Sequence, residues 1–503
     1  MKTSKLILFL AVTLLGASCS DDFFDVPPTS TATAEAAAKA AEADPTKVAS
    51  FVDAIYSVLV QYNLYNTSHD VFGVMAILHA SDMMSEDIVA NPLHWFQFDY
   101  LLDNRFWTNR RPTATWLYFY TAISNANNVL GMTSAESESK DILAIRGQAL
   151  ALRAFAYFYL VQIYQHVYPV VHNGADLPGV PLYYADNEGK ESITGRAGVK
   201  LILAQMEEDL TTAVANLEGW TRSSKNQIDY AVANGLLARY YLLTEQWDKA
   251  IDAAQKARAN YSVMSVDDIY SGFFDISNAE WMWGFDHNAE TTSLYASFFS
   301  HISNLTGGYA GLNYSARYID KRLYESIPEA DARKKWFQDE SDPRPAPTAV
   351  AKNPDGSDAA VSWTQHLASL KFGYDGFFAQ DYLYMRAAEM VLIEAEAKAH
   401  KQEYTAAATA LNVLLEKRGT GVTVASATVD DVHLQRRIEL WGEGFATFDL
   451  KRLNKGIDRT YEGTNHYPSA QLKIDPLDKR WIYQIPQSEI QENSEISEAE
   501  NNE

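Results

Sequence analysis

The sequence predicts a mostly α-helical protein, a scaffold of paired helices interrupted once by a loop-rich stretch with minor β content. Three observations carry that reading. Apolar residues recur at helical spacing through much of the chain. A helix–turn–helix unit at 231–259 has a weaker copy at 387–415. Between Val263 and Gln380 the helical stripe largely vanishes, and glycines, aromatics and Pro343, Pro345 and Pro347 crowd in.

The N-terminus reads as an export signal over 1–18. Lys2 and Lys5 precede an apolar run at 6–15 broken only by Thr13, and Gly16, Ala17 and Ser18 are small, as cleavage requires. The run is too short for a resident membrane span. Cys19, the only cysteine in 503 residues, follows directly. A thiol placed there is read as the acylated residue of a bacterial lipoprotein, although Leu15 stands four residues ahead of it rather than three. The alternative is an ordinary cleaved signal with an idle cysteine. Ser20, Asp21 and Asp22 then resemble the surface-export signal of some lipoproteins. Residues 19–45 read as anchor and tether, with Thr, Ala and Glu at low complexity and enough Ala for part of it to be helical.

Helical stripes follow at 48–64, 116–130, 142–168 and 195–217. The third is apolar almost all round, which predicts burial on most sides. Gly131 stands where a helix C-cap is wanted, and Pro169, Pro178 and Pro181 are expected to mark a loop. In the hairpin at 231–259, Trp247 opens the second helix, and Gly235, Ala238, Ala250 and Ala254 would let two helices approach closely. Such a unit resembles a tetratricopeptide pair, and one pair cannot bury its own apolar face, so several must stack. Trp281 and Trp283 alternate on a short strand. The tail at 491–503, rich in Glu and without a basic residue, is expected to be disordered. The whole of 46–503 reads as one domain, with the scaffold at about 46–262 and 381–490 and the insertion at about 263–380.

Net charge is −23, which argues against nucleic acid or an anionic membrane surface as partner. The chain has no HExxH, GxSxG or P-loop, so nothing visible assembles a catalytic constellation. With 11 Trp, 29 Tyr and 22 Phe there are rings to spare beyond a core.

The motif series resembles the SusD/RagB outer-membrane lipoproteins over 19–493. It comprises DFFDVP at 22–27, YTAISNANNVL at 120–130, the run at 148–169 with Arg153, Ala154, Tyr157 and Pro169, and the helix around Ala238, Arg239 and Tyr240. It continues with RAAEMVLIEAEA at 386–397, RRIELWGEGFATFDLKR at 436–452, and Ile485, Pro486, Glu489 and Asn493. Ala446 and Gln435 depart from the family pattern, at structural positions. The resemblance implies a SusD-like helical scaffold of tetratricopeptide-like hairpins with ligand-bearing loops, and no catalytic activity or cofactor. It implies capture of oligosaccharides, or of peptides in some members. It further implies a lid on a SusC/RagA-like TonB-dependent transporter, at the outer face of the outer membrane and held there by lipid on Cys19.

Glu389, Glu394 and Glu396, on the helix after Arg386, could form a glycosidase pair. The plainer reading is an Arg–Glu network tying hairpins together, because an inward charge is tolerable only if paired. Arg437, Glu439, Glu443, Asp449 and Arg452 are read in the same way. Ligand contacts are expected from rings and polar groups outside the motifs, since a ring covers the C–H face of a sugar while polar groups meet its hydroxyls. Two segments fit. One is 91–107, with Asn91, Trp95, Phe96 and Trp107. The other is 285–314, with Asp286, His287, Tyr295, His301, Tyr309 and Tyr314. Tyr374 is a further loop candidate. Trp95 leads, although a core position is the commoner fate of any one ring. The histidines lack metal-ligand spacing. No EF-hand pattern is present, and a structural calcium ion stays open given the many carboxylates. The functions left in play are glycan capture, peptide capture, glycoside hydrolysis and a pure scaffold.

Overall fold

The computed structural model describes residues 34–312, 315–339, 350–359 and 365–503. Cys19, the export signal, Tyr314 and the three prolines at 343–347 lie outside the described residues.

The apolar stripes become helices packed side by side. Arg110–Gly131, Lys140–Tyr164, Val199–Leu217, Tyr230–Leu243, Trp247–Arg258, Ala387–His400 and Tyr404–Lys417 form one array, each packed on the next. Short polar residues start them: Ser139 accepts the Ile142 N–H and Asp229 that of Val232. Lys140–Tyr164 is buried nearly all round. The chain leaves the array after Arg258 and returns at Ala387, onto the helix it left. What lies between is an insertion of short pieces. Two antiparallel ladders frame it. Ile88–Ala90 pairs with Arg317–Ile319, and Trp281–Phe285 pairs with Tyr382–Arg386. Among the described residues no helix is long and apolar enough to cross a membrane.

Four local expectations change. Gly131 is the last residue of its helix rather than a cap. Pro169 sits in the first turn of a short helix, Tyr168–Asn173, where its missing N–H costs nothing. Gly235 makes room for the insertion, not for its hairpin partner, because a Cβ there would run into the Met385 sulfur. The tail at 491–503 is ordered despite its charge, because side-chain amides pin it: Asn502 Nδ2 donates to the Tyr164 and Tyr483 carbonyls, and Asn501 Oδ1 accepts the Ile485 N–H.

The carboxylates of the motif series are structural. Glu389 pairs with Arg239, Glu394 with Arg258 and Lys398, and Glu396 with Arg452. Each therefore joins helix Ala387–His400 to a neighbouring element. Arg386 serves a different network. It reaches Glu280, Glu439 and Glu443, while Arg418 and Arg333 share Glu439 and Lys371 takes Glu443. With Asp331 on Arg333, four cations face four carboxylates, all buried. Burial alone would raise the Glu439 carboxyl, but Arg418 and Arg386 outweigh it and hold it well below the usual carboxylate range.

Removing one member of such a set leaves its partners charged and dry. Glu439→Gln is expected to lower unfolding free energy by about 3–5 kcal/mol, against less than about 0.5 kcal/mol for Glu492→Gln at an exposed position, both read by urea denaturation. Equal, small losses would show that the network adds little.

Candidate functional site

Both ladders aim loops at one surface. Pairing of Ile88–Ala90 with Arg317–Ile319 sets the loop after Ala90, with Trp95, beside the loop that carries Tyr309. Pairing of Trp281–Phe285 with Tyr382–Arg386 sets the loop of Tyr295 beside the loop of Tyr374 and Phe378. A third contributor is the 61–72 segment, closed by a bridge between Tyr62 and Phe72, which delivers His69.

The rings meet in a continuous series. Trp95 lies 5.4 Å from His69 and 6.3 Å from Tyr309, Tyr309 lies 6.1 Å from Tyr295, Tyr295 5.9 Å from Phe378, and Phe378 5.1 Å from Tyr374. Tyr295 is 47% exposed, and Trp95, Tyr309 and Tyr374 are half-buried. Leu93, Leu294 and Phe377, on the same loops, are 70%, 53% and 51% exposed. Exposed apolar residues gathered on a few loops mark a contact surface rather than scatter. Arg110 places its guanidinium 5.8 Å from the Trp95 ring centre while donating to Asp70 at 3.0 Å.

The platform is held from below. Tyr309 stacks on His301 at 4.9 Å and 13°, and His301 on Phe72 at 5.6 Å and 11°. His301 Nε2 donates to the His69 carbonyl at 2.7 Å, which fixes its tautomer. Burial, aided by Arg317, keeps this imidazole well below its usual pKa and so neutral. The Tyr309 hydroxyl and His69 Nδ1 share a hydrogen bond of 2.6 Å. On the other loop pair, Asp375 accepts the N–H groups of Phe377, Phe378 and Ala379, and Thr292 donates its hydroxyl to the Phe378 carbonyl. Leu294 and Phe378 both adopt left-handed backbone, at φ 51° and 60°. Such conformations cost roughly 1–3 kcal/mol each and gather where function fixes the chain.

The carboxylates nearby are occupied. Asp70 lies between Arg110 and Arg111, and Asp375 caps its own loop. Asp381 accepts the N–H groups of Ile276 and His287, each at 2.8 Å. Burial, with Asp286 and Asp275 repelling, pushes the Asp381 carboxyl up to about 7 against those two bonds. No three His, Cys, Asp or Glu side chains gather in a metal-binding arrangement among the described residues.

Two family models match the chain. One, described as starch-binding associating with outer membrane, covers residues 22–242, and the other, described as the SusD family, covers 310–502. The chain belongs to the SusD/RagB family. A SusD-like protein of Bacteroides ovatus is 25% identical over 257 residues, 49% of this chain and 40% of that one. The chain thus spans about two fifths of that curated relative. A SusD-like carbohydrate-binding protein of Bacteroides vulgatus has a crystal structure that matches at TM-score 0.74 and 27% identity, over 91% of this chain and 98% of that one. A SusD superfamily protein of Bacteroides thetaiotaomicron matches at TM-score 0.71 and 20% identity, over 91% and 99%. The mostly α architecture expected of the SusD/RagB family is the one found.

Of the residues the sequence singled out, the structure brings Trp95, Tyr295, Tyr309 and Tyr374 together. Asn91 sits half-buried on the Trp95 loop. Others lie elsewhere. Phe96 is fully buried, edge-on to Phe72, His79 and His301, and so belongs to the core. His301 is fully buried and supports Tyr309 rather than facing solvent. Trp107 is drawn to the C-terminal segment, its backbone bonded to Gln484 and Gln487. Asp286 is exposed at the edge of its strand, with its N–H on Asn226. His287 packs on Phe285 and Tyr382, and burial pulls its pKa down to about 4. Sequence reasoning missed His69, Arg110 and Phe378. Phe378 lies within the same FGYDGFF loop as Tyr374, but nothing local marks His69 or Arg110.

Two outcomes are expected. Phe96→Ala lowers stability by about 3–5 kcal/mol, whereas Trp95→Ala costs under about 1 kcal/mol. Equal losses in denaturation would contradict this division. For Asp381 the raised folded pKa means that the unfolded state ionises first, so wild type loses stability as pH rises from about 4 to 7. The melting temperature of Asp381→Asn relative to wild type should therefore climb by about 2 °C between pH 5 and 8. A flat difference would show that the carboxylate is already ionised at pH 5.

Proposed function

We propose that this protein captures oligosaccharides at the cell surface and passes them to a TonB-dependent outer-membrane transporter of the SusC/RagA type. The ring series Trp95–Tyr309–Tyr295–Phe378–Tyr374 carries the reading. Rings offered in succession suit a chain of sugar rings, each with an apolar C–H face. Family membership and the carbohydrate-binding Bacteroides vulgatus structure support the ligand class. Charge supports a neutral ligand, since Arg110 at the platform is already balanced by Asp70. The protein acts by binding, not catalysis, because the carboxylates beside the rings serve as ion-pair partners and loop caps.

Attachment follows the same proposal. Lipid on Cys19 would hold the chain to the outer membrane, with the scaffold helices left for the transporter. The ring platform then presents ligand to the open side of that assembly.

Isothermal titration against a panel of plant, host and microbial glycans, with mixed peptides as a second arm, tests the proposal. Trp95→Ala and Tyr309→Ala should each weaken binding of the recognised glycan at least tenfold, about 1.4 kcal/mol, with little change in melting temperature. Tyr295→Ala should do so several-fold. Unchanged affinity in all three variants would remove the platform as the site. Binding only in the peptide arm would transfer the function to peptide capture, and release of reducing ends from any glycan would make the protein a hydrolase.

A further inference from the structure

Helix Arg110–Gly131 breaks a local rule in its C-terminal half. It carries Ser124, Asn125, Asn127 and Asn128 in one stretch. Ser and Asn disfavour helix interiors because their side chains compete for backbone hydrogen bonds. Asn127 has a structural reason, since its Oδ1 accepts from Arg153 at 2.8 Å. Among the described residues the side chains of Asn125 and Asn128 make no hydrogen bond. Places where local preference is overruled without a packing gain are where function is to be sought.

These amides line a cavity of about 1040 Å³ between this helix and the segment 183–192. Its size is at the upper end of small-molecule clefts, roughly 300–1,000 Å³. Rings form part of its wall. Tyr120 and Tyr183 meet edge-on at 5.8 Å and 82°, and Tyr184 follows, all three half-buried. The Tyr120 hydroxyl is committed to the Pro181 carbonyl, but those of Tyr183 and Tyr184 bond to nothing among the described residues. Among the described residues no Lys or Arg side chain lines the cavity. Lys190, 5.3 Å from the Tyr184 ring centre, turns its ammonium to Gln205 and Glu208 instead. Of the two carboxylates in the wall, Glu489 is held by Trp116 Nε1 at 3.1 Å and by Asn493 at 2.7 Å, which leaves Asp186. No residue of the ring platform reaches this cavity.

We propose that this cavity is a second, independent binding site, for a neutral oligosaccharide. Amides and phenols that both donate and accept match hydroxyls, which do the same. Tyrosine faces cover the C–H side of a sugar ring. The lack of a cation in the wall disfavours carboxylated or phosphorylated sugars, whose charge would be desolvated against Asp186. The cavity also has volume enough for several sugar units.

The full chain is titrated with laminarihexaose, maltohexaose, cellohexaose and mannohexaose, with hexagalacturonate as the anionic control. Four proteins are compared: wild type, Trp95→Ala/Tyr309→Ala, Asn125→Ala/Asn128→Ala, and the variant that combines all four substitutions. At least one neutral hexasaccharide should bind, and the platform variant should keep a saturable event. Adding the two Asn substitutions to it should weaken that event at least tenfold. The Asn variant should melt at or above wild type, because Ala is the better helix former, so loss of binding could not be ascribed to misfolding. The inference is overturned if the platform variant binds nothing, if the Asn substitutions leave affinity unchanged, if no neutral hexasaccharide binds wild type, or if hexagalacturonate binds best. Loss confined to the Asn variant, with Trp95→Ala/Tyr309→Ala binding as wild type, would sink the platform reading and leave this one standing.

Discussion

Arg386 sits at the one point where strand, helix and insertion meet. It ends the strand Tyr382–Arg386 and precedes the helix Ala387–His400. Its guanidinium satisfies Glu280, at the start of the paired strand, and Glu439 and Glu443, at and just beyond the end of the helix Val429–Glu439. Glu280 in turn accepts the Ala388 N–H at the helix start, where a negative charge also meets the positive end of the helix dipole. Buried charge of this density is tolerable only when every member is paired. The network therefore fixes how the insertion leaves and re-enters the helices, and through the two ladders it fixes where the ring-bearing loops stand.

The division of labour between scaffold and loops follows from this. Charged motif residues are consumed in joining elements, so they are poor candidates for chemistry. Glu439 and Glu443 are held ionised by their cations, the opposite of what a general acid requires. That leaves residues with uncommitted faces for the proposed ligand contact. Tyr309 can offer one face because His301, itself backed by Phe72, occupies the other.

The proposed binding platform is a series of a few anchored rings rather than a deep pocket. Loops pinned by backbone-directed caps, such as Asp375 and Asp381, lose little entropy when a ligand arrives. The helix-side cavity lined by Asn125 and Asn128 differs in kind, with amides on a regular element and phenols opposite. The two surfaces share no side chain, so each can be altered without the other.

Periodicity in the sequence determined the helices, because burying one apolar face imposes a 3.6-residue repeat along the chain. The hairpins at 231–259 and 387–415 and the buried helix around Arg153 were legible on that ground, and the motif series was legible as a family resemblance. Part of the candidate site was legible too: Trp95, Tyr295, Tyr309 and Tyr374, which the structure brings together, stood out as rings in loops. Phe96 and His301 have the same local texture as Trp95 and Tyr309, yet one of each neighbouring pair is core and the other surface. That choice belongs to the ladders, which set which side of a loop faces out through contacts more than two hundred residues apart, such as Ala90 with Arg317. His69, Arg110 and the ordered C-terminal tail were likewise decided only in three dimensions, since each owes its place to partners distant in sequence and to no pattern of its own.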